Sequence, residues 1–354
     1  MSWKSRESLV RMAVALAITC LGAMVGEFAM GQGMQKLPAE QRTAPLAVMA
    51  TSKPALVVLN KDDNELAIVD PETLKVVGRV RTGPVPHEVA VSEDGKIAVA
   101  TNYGAHQDGT TISVIDLVDQ KEIHRVDLGA LRGPHGVVFF EGKAWFTVEG
   151  SKRIARYDPA TNKIDWTHEI GQNRTHMLVL SKEGHTIYTS NVNSDSVTVV
   201  SANADRSQWT NTAIAVGKGP EAIDISPDGL QVWVGNSGDG TVSIIDTTSK
   251  AVVGTVSAGT KHMNRLKFTP DGRRVLISDI GGGDLVVVDV GTRKEVKRLH
   301  LGSSAEGILV QPDGTRAFVA VSGDNKVAVV DLRKIEVVGT IESGKDPDGM
   351  AWAE

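Results

Sequence analysis

The feature that most constrains the fold of this chain is a repeat of about forty residues that recurs from residue 86 to residue 344. Each unit contains short runs of Val, Ile, Ala and Thr, and a turn ending in Gly precedes its second run. Gly is needed there because tight hairpin turns require a positive φ. This pattern predicts many short antiparallel strands. The turns are Glu93-Asp94-Gly95, Glu141-Gly142, Glu183-Gly184, Pro227-Asp228-Gly229, Pro270-Asp271-Gly272 and Pro312-Asp313-Gly314.

The strands left over at the two ends of the chain indicate how the repeats are arranged. Residues 220–259 contain four strands, EAIDIS, QVWVGN, TVSIID and VVGTVS, and six such units follow one another. Three further strands precede them, and one strand, from Gly349 to Ala353, follows them. Together these four make a seventh unit that closes a ring and removes exposed sheet edges. We therefore predict an all-β, seven-bladed β-propeller of four-stranded antiparallel blades over residues 55–354, closed by a C-terminal innermost strand.

Specific motifs support this prediction. The sequence TN at Thr101 and Asn102, YTSN from Tyr188, WVGN from Trp233 and strands such as ISVIDL resemble the repeat of YVTN-family (YncE-like) β-propellers. The resemblance covers residues 55–353 and implies the propeller fold and an extracytoplasmic location. Such repeats occur in surface-layer proteins, periplasmic binding proteins and lactonases, so the resemblance assigns no catalytic residue.

The N-terminus is typical of a secretory signal peptide. Basic residues are followed by an apolar run over residues 12–25, which is shorter than the roughly 20 residues that span a membrane. We predict a signal peptide over residues 1–31, a flexible lead-in over residues 32–54, and a periplasmic or secreted protein without a membrane span after cleavage. A retained anchor is the alternative. The basic residues are Lys4, Arg6 and Arg11.

Composition excludes several classes of function. The formal net charge is -5, and no basic stripe is present, so we expect no nucleic-acid partner. Cys20, the only cysteine, lies in the apolar run, so the cleaved chain would have neither a disulfide nor a thiolate nucleophile. The sequence contains no CxxCH, HExxH, G-x-S-x-G or Walker motif. Two enlarged loops, residues 103–110 and residues 202–212 with Trp209, are where we expect binding specificity to lie.

Superposing the repeats places one residue of each unit at the entrance to its innermost strand. Because the innermost strands of a propeller line its central channel, these residues form a ring at one mouth. We call this set the hub ring and expect a ligand to bind there. Its members, mostly eight residues before each hairpin Gly, are His87, His135, His176, Glu221, Asn264, Glu306 and Asp348.

Three members of the hub ring are histidines on consecutive blades, and a fourth histidine, His262, lies two residues before Asn264. Three imidazoles and an open position suit one divalent zinc, copper or iron ion, which would make a bound water nucleophilic. The flanking Glu221 and Asp348 could then act as bases or outer ligands. The alternative is a water-filled mouth lined by polar residues without a metal. We call the three histidines the imidazole arc: His87, His135 and His176.

Two functions therefore remain open from the sequence. The first is an exported binding protein that uses the channel mouth to bind a small-molecule ligand or a protein partner. The second is a metal-dependent enzyme of lyase, lactonase or oxidase type at the same mouth. Metal analysis of the purified protein distinguishes them.

Overall fold

The structure is a computed structural model that describes residues 54–105 and 107–354. Its strands form seven sheets, each with four antiparallel strands, which confirms the predicted seven-bladed propeller. The predicted signal peptide, residues 1–31, and all but the last residue of the lead-in, residues 32–54, lie outside the described residues. In the part of the chain that the structure describes, no helix has the length and hydrophobicity needed to cross a membrane.

The blades are numbered along the chain, and blade 1 contains the first three strands and the last one. Blades 1 to 3 contain β1 (Ala55–Asn60), β2 (Glu65–Asp70), β3 (Lys75–Arg81), β4 (Pro86–Val91), β5 (Ile97–Asn102), β6 (Thr111–Asp116), β7 (Lys121–Asp127), β8 (Pro134–Phe140), β9 (Lys143–Val148), β10 (Arg153–Asp158) and β11 (Lys163–Glu169). Blades 4 and 5 contain β12 (Thr175–Leu180), β13 (Thr186–Asn191), β14 (Ser196–Ala202), β15 (Trp209–Ala215), β16 (Pro220–Ile225), β17 (Gln231–Asn236), β18 (Thr241–Asp246) and β19 (Ala251–Ser257). Blades 6 and 7 contain β20 (Met263–Phe268), β21 (Arg274–Asp279), β22 (Asp284–Asp289), β23 (Lys294–His300), β24 (Ala305–Val310), β25 (Arg316–Val321), β26 (Lys326–Asp331) and β27 (Glu336–Ile341), and β28 (Pro347–Ala353) returns to blade 1. Short 3-10 helices span Glu149–Ser151, Val192–Ser194 and Ser322–Asp324.

The ring closes through the pairing of the last strand with the first. In β28 and β1, Trp352 lies opposite Leu56 and Ala353 lies opposite Ala55. The innermost strands β28, β4, β8, β12, β16, β20 and β24 each contact the next one around the ring. The chain termini of the propeller therefore meet in one sheet, and blade 1 has no exposed inner edge.

The apolar pattern of each strand follows its place in the blade. The third strands, such as β18 (TVSIID), are buried over four consecutive residues because blades pack against both of their faces. The outermost strands are more exposed, as in β11, where every second residue is exposed. The Asp that ends many third strands is structural: Asp116 Oδ1 accepts backbone hydrogen bonds of 2.9 Å from Val118 and Asp119.

One expectation about the loops is wrong. We expected Trp209 within an enlarged loop over residues 202–212, but β14 extends to Ala202 and β15 begins at Trp209. The ring of Trp209 packs against Trp145 and Trp166, with centroid distances of 6.1 and 5.2 Å. Its apolar surface is partly buried between blades 3 and 4, and this packing favours strand over loop at Trp209.

Candidate functional site

The structure places all seven hub-ring residues at the same position, the second residue of the innermost strand of each blade. His135, His176 and Asp348 are 2%, 3% and 2% exposed, and three of the remaining members are also buried. His87 is half-buried. The hub ring is thus a set of enclosed polar side chains and not a solvated rim, so each polar atom there needs a partner.

The imidazole arc is continuous through ring contacts. The ring centroids of His135 and His176 are 3.9 Å apart, and those of His87 and His135 are 5.1 Å apart. Among the described residues, however, the group of ligand atoms that could hold a metal ion contains one atom each from His135, Glu149 and His176, all within 4.8 Å of one another. The structure thus brings two of the three predicted metal ligands together with a carboxylate that we did not predict, and it leaves His87 beside this group.

Glu149 lies directly after β9, at the start of a 3-10 helix, and its two carboxylate oxygens have different partners. Oε1 contacts Nδ1 of His176, whereas Oε2 accepts a hydrogen bond of 2.6 Å from the hydroxyl of Tyr103. The Nε atom of Arg174 lies 3.6 Å from Oε2. Burial alone would raise the pKa of Glu149, but these hydrogen bonds and the Arg174 charge lower it. Glu149 is therefore an anion that faces the arc.

A threonine of the preceding blade donates a hydrogen bond to the backbone of His135, and another does so to the backbone of His176. Thr101 Oγ1 donates a hydrogen bond of 2.7 Å to the carbonyl oxygen of His135. Thr147 Oγ1 donates one of 2.6 Å to the carbonyl oxygen of His176. Because each threonine is buried in the second strand of its own blade, the spacing between blades sets the spacing between the imidazoles.

Burial keeps two histidines of the arc, His87 and His135, neutral. It lowers the pKa of His135 well below its ordinary value, and the neighbouring histidines of the arc lower it further. Burial also lowers the pKa of His87 to about 4, although Asp348 opposes this shift. A neutral imidazole has a lone pair on one nitrogen, which is the form that binds a metal ion.

Glu221 continues the hub ring on the other side of His176. Its carboxylate accepts hydrogen bonds of 3.0 Å from Ser237 and 3.3 Å from Asn264, and Nε2 of His262 lies 3.3 Å away. Burial opposes its ionisation, but the hydrogen bond from His262 and nearby positive charge lower the pKa of Glu221 to about 2. Oε1 of Glu221 lies 3.6 Å from Nε2 of His176, so a second anion flanks the arc.

The opposite side of the hub contains a lysine held by carboxylates, which we call the acidic side: Lys61, Glu306, Asp346 and Asp348. Nζ of Lys61 lies 2.6 Å from Glu306, 3.3 Å from Asp346 and 3.6 Å from Asp348. Burial alone would lower the pKa of Lys61, but the carboxylates raise it above its ordinary value, so Lys61 is a cation. Oδ2 of Asp348 also lies 3.4 Å from Nδ1 of His87, which links the acidic side to the imidazole arc.

An ion pair closes the channel below the hub ring. Arg265 Nε donates a hydrogen bond of 2.9 Å to Oε1 of Glu88. Both residues are buried and occupy the third position of their innermost strands, in blades 6 and 2. These blades lie on opposite sides of the ring, so the pair crosses the channel axis. This ion pair therefore obstructs the channel at this level.

Five of the residues that sequence reasoning missed share one position of the repeat. Lys61, Tyr103 and Glu149 each follow the last residue of the second strand of their blade. Ser237 and Ser322 occupy the same position and contact Glu221 and Glu306. Superposing the repeats at this position, as was done for the innermost strand, would have found this second set of hub residues from the sequence.

Comparisons with known proteins agree with this architecture. A family model described as YNCE-like beta-propeller matches residues 21–353. No curated protein sequence matches the chain with statistical significance. Many solved structures share the fold.

Three of these structures illustrate the range of proteins that share the fold. A functionally unknown protein from Desulfotomaculum acetoxidans is 15% identical, with a TM-score of 0.71 over 85% of this chain and 99% of that one. A candidate 6-phosphogluconolactonase from Bacteroides uniformis is 14% identical, with the same TM-score of 0.71 and the same coverage of 85% and 99%. Kuenenia stuttgartiensis hydrazine synthase is 17% identical, with a TM-score of 0.65 over 75% of this chain and 89% of that one.

These structural likenesses concern the fold alone, because the identities are low. The family match, by contrast, spans nearly the whole chain, including every strand of the propeller. The chain therefore belongs to the YNCE-like β-propeller family.

Proposed function

We propose that this protein binds one divalent transition-metal ion at the hub through His135, Glu149 and His176. The observation that carries the proposal is the approach of one ligand atom from each residue to within 4.8 Å of the others, in a fully buried group. Two imidazoles and a carboxylate are a ligand set typical of zinc, copper and iron sites.

Unpartnered atoms support a bound ion. Nδ1 of His135 and Nε2 of His176 are buried and have no hydrogen-bond partner among the described residues. Leaving a buried polar atom unpaired costs about 1–3 kcal/mol. An ion bound between these nitrogens would remove that cost, and the neutral state of His135 makes its lone pair available without loss of a proton.

Residues around the three ligands fix their orientation, as the outer-shell residues of a metal site do. Hydrogen-bonded carboxylates and backbone contacts fix the orientation of ligand imidazoles in such sites. Tyr103 and Arg174 hold Glu149 in this way, and Thr147 holds His176. The ring of His87 contacts that of His135, and its Nδ1 lies beside Asp348, so His87 remains a proposed additional ligand.

The biological role that we propose is that of an exported binding protein that presents this metal to a ligand or protein partner at the mouth. The signal-like N-terminus supports export. The closed channel supports binding from one face, because the Arg265–Glu88 pair blocks passage through the hub.

A metal-dependent enzyme of lyase, lactonase or oxidase type is the second candidate. Three protein ligands leave at least one coordination position open, as in catalytic zinc sites, where the metal activates a bound water. The candidate 6-phosphogluconolactonase shares only the fold with this chain, so it supports this alternative weakly.

Calorimetric metal titration tests the proposal. Protein treated with a chelator and then dialysed would be titrated with Zn²⁺, Cu²⁺ and Fe²⁺. We expect one ion per chain, and we expect His135→Ala and His176→Ala each to weaken binding by more than about 100-fold, since loss of an outer-shell partner alone costs about 10–100-fold.

The matched control is His124→Ala, because His124 is exposed on the outermost strand β7. It should bind metal as the wild type does. Wild-type binding no tighter than the high micromolar range, or equal losses in all three variants, would rule out the hub as a metal site.

A further inference from the structure

The charges around the hub favour a cationic ligand over an anionic one. Three positive side chains that reach the hub are already paired with carboxylates: Lys61 with the acidic side, Arg174 with Glu149, and Arg265 with Glu88. Five carboxylates lie around the hub, more than the side chains of Lys61, Arg174 and His262 that contact them, and they are Glu149, Glu221, Glu306, Asp346 and Asp348.

Two buried oxygen atoms of the hub ring lack donors. Oδ1 of Asp348 and Oδ1 of Asn264 have no hydrogen-bond partner among the described residues. The side chain of Asp348 is 3% exposed, and Asn264 is 6% exposed. The other oxygen of Asp348 is the one that faces Lys61 and His87, and the amide nitrogen of Asn264 is the one that faces Glu221. Both unpartnered atoms are acceptors, so each needs a donor from a ligand.

These two oxygen atoms lie in other blades than the proposed metal ligands. Asp348 and Asn264 belong to blades 1 and 6, on either side of Glu306 in blade 7, whereas His135, Glu149 and His176 belong to blades 3 and 4. The hub side chains contact one another around most of the ring, and the channel is closed below them. A ligand that reaches these oxygens must therefore be small and must enter from the mouth.

We propose that the acidic side of the hub binds the ammonium group of a small primary amine, with Asp348 and Asn264 as hydrogen-bond acceptors. An ammonium group has a positive charge and three N–H donors, which matches one carboxylate oxygen and one amide oxygen in a negatively charged site. This proposal rests on the proposed function, because the amine would be the ligand to which the protein presents the hub metal. The same carboxylates disfavour phosphorylated sugars and other anions.

Titration with small probes tests the inference. Ethylammonium, tetramethylammonium and propionate would each be titrated into the protein, and binding followed by ligand-observed NMR. Ethylammonium should bind; tetramethylammonium, which has the same charge but no N–H donor, should bind about tenfold more weakly or worse, and propionate should not bind.

Two variants locate the site. Asp348→Asn and Asn264→Leu should each weaken ethylammonium binding by about tenfold or more. Asp119→Asn, in an exposed pair with Lys121, is the control and should leave binding unchanged. If Asp348→Asn fails to fold, Asn264→Leu decides the question, because the removed group is uncharged and the replacement is similar in size.

The titrations should be run on both metal-loaded and chelator-treated protein, so that failure of the two proposals can be told apart. If the protein binds ethylammonium but takes up no metal ion in the calorimetric titration, the metal proposal alone is overturned. Absence of ethylammonium binding, equal binding of propionate, or unchanged affinity in Asn264→Leu would overturn the amine proposal, whatever the metal titration shows.

Discussion

Thr147 and His176 lie in neighbouring blades, and the hydroxyl of Thr147 donates a hydrogen bond of 2.6 Å to the backbone carbonyl oxygen of His176. This bond is the most direct link between propeller packing and the geometry of the imidazole arc. The same contact, from Thr101 to His135, recurs one blade earlier. The blade spacing therefore positions both His135 and His176. The geometry of the hub depends on residues of the second strands as much as on the innermost strands.

Replacing Thr147 by Val should therefore affect both stability and metal binding. The carbonyl oxygen of His176 would lose its side-chain donor, at a cost of about 1–3 kcal/mol in the free energy of unfolding. Metal affinity should fall by about tenfold, as it does when outer-shell partners are lost. Urea denaturation and calorimetry measure the two effects. Thr147→Ser keeps the hydroxyl and should restore most of the affinity; if it binds metal no better than Thr147→Val, this link is wrong.

Tyr103→Phe should weaken metal binding while leaving the fold intact. The hydroxyl of Tyr103 donates to Oε2 of Glu149, which fixes the carboxylate that faces the arc. We expect a loss of about tenfold in metal affinity. Tyr157→Phe is the matched control, because the Tyr157 hydroxyl bonds to Asn162 in the same blade. Equal losses in the two variants would show that the effect is structural.

The chelator-treated protein should lose stability in acid partly through His87. The folded pKa of His87 is about 4, below the ordinary value of 6.5, so the unfolded chain binds more protons between these values. Stability is therefore fully present above pH 6.5 and falls as the pH drops toward 4, by up to about 3 kcal/mol from this group. Urea midpoints between pH 4 and 7 should show a shallower decline for His87→Asn. An identical decline in the variant and the wild type would contradict the assignment.

Removing residues 345–354 should unfold the propeller. The deletion removes β28, which pairs with β1 along its length and supplies Asp348 to the hub. An unpaired innermost edge would remain in blade 1, so aggregation should follow. Trp352→Ala alone should cost about 2 kcal/mol, less than the roughly 3–5 kcal/mol of a fully buried Trp, because Trp352 is half-buried against Phe318. A truncated chain that stays monomeric with the wild-type melting temperature would show that closure does not depend on β28.

The fold and the hub ring could be predicted from the sequence because both repeat. Each blade repeats the same turns and apolar runs, and a residue such as His135 is found by counting from the nearest hairpin Gly. The contacts of the hub are different, since the repeat gives the position of a residue in its own blade but not its partner in another blade. Glu88 and Arg265, for example, are 177 residues apart and meet only because their blades face each other across the channel. Likewise, the partnership of Glu149 with His176 depends on the offset between neighbouring blades, which the sequence pattern does not reveal.

The central claim, a metal ion at His135, Glu149 and His176, is tested most directly by diffraction from crystals of the metal-loaded protein, with data collected on either side of the absorption edge of the metal. We predict one anomalous peak per chain, at about 2.0–2.2 Å from a nitrogen of His135, a nitrogen of His176 and an oxygen of Glu149. A peak bound only by surface residues such as His124, or no peak at the hub in a fully loaded crystal, would contradict it.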